Sequence, residues 1–332
     1  MSIDVLSFGE TMLRLSPPEG IRLDSATTFS VHVAGTESNT LCTLARLGLQ
    51  TAWLSALPDT PLGRRVESEL RQHGVQTTHI LWQQNPTRLG IFYAEEAPPP
   101  LGIQVYYDRA NSACATLDPD TLDYTLVDQA RLLHLTGITP ALSEQAHAAT
   151  TRLFQRALAQ HIPISFDVNY RAKLWSPTEA AHRLEEYCRQ ASILICTRED
   201  AADLWHITGS PQEILTRLSH RFAGDQQERT FVVTLGREGA AELRNGQFAI
   251  APALPTEGHF RFGSGDAFAA GYLYSYLDGP LYHELHASSG ISSLLFGNAL
   301  AALKRCIAGD IASINPQDVR TLLHNQPSIR FR

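Results

Sequence analysis

The sequence predicts an α/β fold with three layers: a mostly parallel central sheet between two layers of helices, with a small β-sheet lid. Three observations predict it. Short β-rich runs alternate with longer amphipathic runs along most of the 332 residues, the rhythm of strand–helix crossovers on both faces of a sheet. Two stretches break that rhythm with alternating, helix-free patterns. Near the C-terminal end, a Gly-Ser-Gly-Asp turn runs directly into an apolar, helix-like segment, Ala267–Leu277.

In chain order, "DVLSFG" reads as a strand and Ser38–Gly48 as a helix. That helix carries Leu41, Leu44, Ala45 and Gly48 at i, i+3, i+4 and i+7, with Gly48 as the left-handed residue that stops it. "TAWLSAL", then helix Leu62–Gly74, repeat the unit. "LLHLTG", "IPISFDV", "ASILICT" and "TFVVTLG" supply further buried strands with helical patterns between them. Residues 12–34 and 87–112, the second around a proline-rich turn, are placed together as the antiparallel lid. The body then comprises residues 1–11, 35–86 and 113–332. Ala287–Leu303 carries no charge but is short for a membrane span, so it reads as one buried helix.

Composition narrows the function. Lys and Arg number 27 against 34 Asp and Glu, a net charge of −7, and no basic tract occurs, which argues against nucleic acid or an anionic membrane as partner. Five scattered cysteines without a CxxC pair fit a reducing compartment. The start "MSIDVLSFGE" has no signal-peptide pattern, so the expected location is cytoplasmic.

In "HFRFGSGDAFAAGYLYSYL", Gly263 and Gly265 permit close backbone approach, and the following helix would aim its free N–H groups into the turn. Such a place suits a phosphoryl group in transfer, whose equatorial oxygens carry negative charge. Asp266 beside it is positioned to take a proton from an attacking hydroxyl. The stretch alone equally fits a helix capped by Asp266. It is neither a Walker A loop nor a full GxGxxG, since Phe268 stands at the third glycine.

The same stretch resembles the C-terminal signature D-T-x-G-A-G-D-x-F-x-x-G of the ribokinase-like (PfkB) carbohydrate kinases, and "VAGTESNTLCTLARLG" resembles their first signature. The resemblance covers nearly the whole chain. It implies the ribokinase-like fold, ATP and Mg²⁺ as cofactors, Asp266 as catalytic base, and the Gly263, Ser264 and Gly265 amides as anion hole. A monovalent cation is doubtful, because Phe260 stands where relatives have a cation-holding aspartate. The resemblance also points to a homodimer through the exposed lid face.

"FGETMLRLSPPEG", "LLHLTGITPALS" and "SFDVNYRAKLWSP" are similar to runs of the 2-keto-3-deoxygluconate kinase subgroup. The implied acceptor is the 6-hydroxyl of that sugar acid. The implied sugar contacts are Gly35, Thr36, Glu37, Ser38, Asn39, Phe92, Tyr107 and Asn169. Arg109 and Arg171 would hold the carboxylate through bidentate geometry, with Asp108 placed to compete for Arg109. On the nucleotide side the resemblance implies Thr197, Thr234, Gly236, Arg237, Gly239 and Asn298, with Asp200 reaching Mg²⁺ through water. Two alternatives stay open: a kinase of a neutral ketose such as fructose, and a degenerate nucleotide- or sugar-binding regulator.

Overall fold

Strand β1 (Ile3–Phe8) is buried along nearly its whole length, the signature of a strand covered on both faces. The computed structural model describes residues 3–84, 87–97, 100–223 and 229–324. Within them follow β2 (Met12–Ser16), β3 (Ser30–Ala34), α1 (Thr36–Arg46), β4 (Thr51–Pro58), α2 (Pro61–Gln72) and β5 (Ile80–Gln83). Next come β6 (Ile91–Glu96), β7 (Ile103–Asp108), β8 (Ala130–Thr136), α3 (Glu144–Ala159), β9 (Ile164–Asp167) and α4 (Pro177–Gln190). The remainder holds β10 (Ile193–Thr197), α5 (Arg198–Trp205), α6 (Pro211–Arg221), β11 (Thr230–Thr234), β12 (Ala240–Arg244) and β13 (Gln247–Ala251). Helices α7 (Ser264–Tyr276), α8 (Pro280–Ser289), α9 (Ser293–Lys304) and α10 (Pro316–His324) close the described chain.

The main sheet runs β13-β12-β11-β10-β9-β8-β1-β4-β5, parallel from β11 to β5, with β12 and β13 added antiparallel. Helices α1, α2 and α7 to α10 pack one face, and α3 to α6 pack the other. The expected three-layer α/β class is therefore the one observed. Strand order reverses beside β1: the chain first moves outward to β4 and β5, then returns to β8 on the other side. The crevice at such a reversal, outside the strands' C-terminal ends, is where open α/β sheets bind ligands.

A second, smaller sheet, ordered β3-β2-β6-β7, stands where the lid was expected. Each hairpin is antiparallel, yet the two join through a parallel β2–β6 pair, which the all-antiparallel expectation missed. Residues 98 and 99 of the expected proline-rich turn lie outside the described residues, as do 85 and 86. The single buried helix expected at Ala287–Leu303 is two helices. Gly290 takes φ 68° at the end of α8, and Ser292 restarts the chain as the N-cap of α9, its hydroxyl accepting the Leu295 N–H. Among the described residues no helix is long and apolar enough to cross a membrane.

Helices α7 and α9 approach closely because glycines face each other. A Cβ on Gly271 would stand 2.9 Å from the Gly297 Cα, and one on Gly297 would stand 2.9 Å from the Phe268 ring. This contact fixes the helix that carries Asp266. Gly271→Val should lower the unfolding free energy by about 3 kcal/mol in urea denaturation; a loss well under about 1 kcal/mol would show that the helices do not depend on this approach.

Candidate active site

Asp266 caps nothing. The N-cap of α7 is Gly263, in the left-handed region at φ 77°, where a Cβ would also strike the Asp310 carbonyl oxygen at 1.8 Å. Asp266 lies within the first turn and reaches across to the start of α1. Its Oδ1 accepts the Thr36 hydroxyl at 2.7 Å, and its Oδ2 accepts the Asn39 amide at 2.7 Å. Burial pushes its pKa above the usual aspartate value, while these two bonds and the more distant charges of Arg171 and Lys304 oppose the rise. The result is a held carboxylate, more basic than an ordinary aspartate, at the head of a helix.

Thr36 passes the network onward. Its hydroxyl accepts the Asn169 amide at 3.2 Å, and Asn169 Oδ1 accepts the Arg171 guanidinium at 2.6 Å. Asn169 sits in a left-handed conformation at φ 42°, in the turn after β9, which lets Arg171 extend to solvent. Asp167, at the end of β9, completes the crevice. Its pKa is raised to about 8 by burial first, then by the charges of Asp200 and Asp266. Sequence reading did not single it out, although the C-terminal end of a central parallel strand was the signal.

Several expected contacts are corrected. Glu37 turns inward: it is 1% exposed, and its Oε1 accepts the Thr136 and Thr139 hydroxyls at 2.7 and 2.6 Å. Burial pushes its pKa up to about 7. Ser38 is buried and bonded to the Gly35 carbonyl at 3.0 Å and the Thr11 hydroxyl at 2.8 Å. Gly35 is the N-cap of α1; a Cβ there would meet the Glu10 carbonyl oxygen at 2.4 Å, which explains the glycine without any ligand. Arg109 is not paired with Asp108, which binds Arg88 instead. It donates to Glu10, and the two side chains are 9% and 3% exposed. An arginine already neutralised in a buried pair is a weaker carboxylate ligand than expected, and Arg171 is left as the open one.

Phe92 packs between Tyr107, at 5.6 Å, and Phe262, at 6.3 Å, on the lid face that meets the Gly263 turn. Lys173, two residues beyond Arg171, donates to the Val105 carbonyl of edge strand β7. Within the turn, Ser264 departs from its expected role: its N–H at 3.3 Å and its hydroxyl at 2.9 Å both donate to the Arg261 carbonyl. The outward amides of the first turn are then those of Gly265 and Asp266. A Cβ built on Gly265 meets nothing within 4 Å, so space is open over it. Phe260 is tied by its N–H to the Arg305 carbonyl at 3.1 Å, and Arg261 is exposed.

The nucleotide-side residues divide. Thr234, Gly236, Arg237 and Gly239 lie together in the β11–β12 connection, linked to α5 by an Arg198–Glu238 ion pair at 2.8 Å. Thr197 and Asp200 form a reciprocal capping box for α5, with bonds of 3.0 and 2.9 Å. Asp200 is therefore a helix cap in this structure, and burial raises its pKa. Asn298 donates to the Ala251 and Pro252 carbonyls at 3.1 and 2.9 Å, so its amide nitrogen is committed to the end of β13 rather than offered to a base.

Among the described residues no three acidic, His or Cys side chains converge as a closed metal site. The set does fit Mg²⁺ held mainly by phosphate and water. Asp167 and Asp200 repel each other in a buried place that a divalent cation would neutralise.

Comparison with known proteins identifies the family. The family model described as "pfkB family carbohydrate kinase" matches residues 2–318. The chain belongs to the pfkB family. Among family relatives, a 2-dehydro-3-deoxygalactonokinase of Haloferax volcanii is 38% identical over 323 residues, 97% of both chains. A 2-dehydro-3-deoxygluconokinase of Bacillus subtilis is 31% identical over 323 residues, 94% of this chain and 92% of that one. The crystal structure of a 2-dehydro-3-deoxygluconokinase from Thermotoga maritima superposes with a TM-score of 0.87 at 28% identity, over 98% of this chain and 99% of the other.

If the Thr36 hydroxyl sets the basicity of Asp266, then Thr36→Val raises the pKa of the base, which stays protonated to higher pH. The acidic limb of the kcat/KM profile should move upward, with a loss of about tenfold at pH 6 and a smaller loss at pH 8. A uniform loss across pH would show that Thr36 acts otherwise.

Proposed function

We propose that the protein is an ATP- and Mg²⁺-dependent kinase of a 2-keto-3-deoxy aldonic acid, either the gluconate form or its C4 epimer, the galactonate form. The γ-phosphoryl group goes to the primary hydroxyl. The observation that carries this reading is the continuous Asp266–Thr36–Asn169–Arg171 network, which links a buried base to an exposed cation in one crevice. The hydroxyl end of the acid sits at Asp266 and its carboxylate at Arg171. The names of the relatives support the substrate class, and the pairing of Arg109 with Glu10 leaves the anion-selective part to Arg171.

Asp266 accepts the hydroxyl proton as the oxygen attacks. Thr36 and Asn39 hold both carboxylate oxygens, which fixes the direction of approach. The Gly265 and Asp266 amides face the transferring group and stabilise its charge. The β11–β12 connection, with Thr234, Gly236 and Gly239, would hold the nucleotide, and Asp167 and Asp200 would hold, through water, Mg²⁺, which when bound screens phosphate charge. The lid, carrying Phe92 and Tyr107, excludes water that would otherwise take the phosphoryl group.

ADP release measured across both 2-keto-3-deoxy aldonates, aldonates and neutral ketoses should show turnover with one or both keto-deoxy acids. Turnover confined to fructose, or none with ligands still binding, would contradict the reading. Arg171→Met should raise KM for the acid about tenfold or more while leaving KM for ATP near that of the parent. An equal loss on acids and neutral sugars would remove Arg171 from the carboxylate.

A further inference from the structure

Behind the anion hole lies a cluster of charge that the phosphoryl-transfer steps above do not use. Lys304, the last residue of α9, is fully buried at 0% exposure, and its Nζ donates to the Ile307 carbonyl at 3.0 Å. Asp310 is 4% exposed and pairs with Arg14 of the lid at 2.9 Å; the Arg14 guanidinium also stacks over Phe262 at 4.5 Å. The segment from Lys304 to Asp310 runs alongside the segment that forms the hole. The Arg305 carbonyl accepts the Phe260 N–H, and the Asp310 carbonyl lies so near Gly263 that no Cβ fits there. A charged lysine without any exposure needs a reason, because burying an ammonium costs several kcal/mol before its partners offset it.

We propose that Lys304 is a positioning residue for phosphoryl transfer: its buried ammonium is a fixed positive charge behind the Gly263–Gly265 turn, which favours the Asp266 carboxylate and the transferring phosphoryl without touching the substrate. This rests on the kinase reading above and deepens it. In water a charge at such a remove would be screened. In this dry interior it reaches Asp266, whose pKa it opposes from rising. The charged and titratable groups near enough to act on the ammonium are Asp310 in the loop after α9, Arg14 on β2, His32 on β3, Glu96 on β6 and Asp266 on α7. Burial, opposed by the attraction of Asp310, brings the Lys304 pKa down to about 8.

The test is a pH–rate study of the full chain with its best acid substrate. The parent should lose kcat as pH rises through about 8, where Lys304 gives up its proton. Lys304→Met removes the charge and keeps the stem. It should cut kcat about tenfold or more with both KM values within about threefold, abolish the alkaline limb, and move the acidic limb to higher pH. Lys304→Arg, which keeps the charge, should retain the parent's acidic limb. A Met variant with the parent's kcat and both limbs overturns the proposal. So does a parent whose kcat stays flat well beyond pH 8, a result that needs no variant to fold. Turnover by the parent reports on the kinase reading separately from these shifts.

Discussion

The structure turns on one buried carboxylate held from two sides. Asp266 comes from the start of α7, while Thr36 and Asn39 come from the start of α1, some 230 residues earlier in the chain; bonds of 2.7 Å join them. The clasp needs two helix N-termini to meet, and the starts of α1 and α7 do so through Thr36, Asn39 and Thr40. It also needs α7 to sit deep, which the Gly271–Gly297 approach allows. A carboxylate so enclosed is costly to ionise, and its donors offset that cost without removing it. A carboxylate whose pKa stays above the ordinary aspartate value follows directly.

The site is loaded with charge that does not help the fold. Asp167 is raised to about 8 and Glu37 to about 7, both chiefly by burial. Since these folded-state values stand above the ordinary carboxylate range, the fold is favoured while the groups keep their protons. That margin is full below the ordinary carboxylate range, shrinks as pH rises above it, and is gone once pH has passed about 7 to 8. Groups that weaken a resting structure are common where function needs them. Here Glu37 lies in the core beneath α1, while Asp167 stands near Asp200, where a bound cation would bring compensating charge.

Much of the fold was legible because its strands are buried on both faces and read as unbroken apolar runs, with glycines at the ends of helices. The break between α8 and α9 was not, because Gly290 lies inside an uncharged stretch whose composition suits one helix or two. Residues that the motifs named also meet in the structure: Asp266 at the end of the glycine turn, and Thr36 and Asn39 bonded to it. The site was misread where helical phase decides. Five consecutive residues cannot share one face of α1, so Thr36 and Asn39 meet Asp266 while Glu37 and Ser38 point into the core. Arg109 was misread because its partner, Glu10, is 99 residues away, and no local pattern announces a buried ion pair at that separation.

The most direct test of the account is single-turnover phosphoryl transfer by Asp266→Asn, with folding checked by thermal melting and ATP binding measured separately. The side chain keeps its shape and loses its ability to take a proton. The account predicts that the rate falls by about 10³-fold while ATP affinity stays near that of the parent. A variant that transfers the phosphoryl group within about threefold of the parent's rate would contradict it.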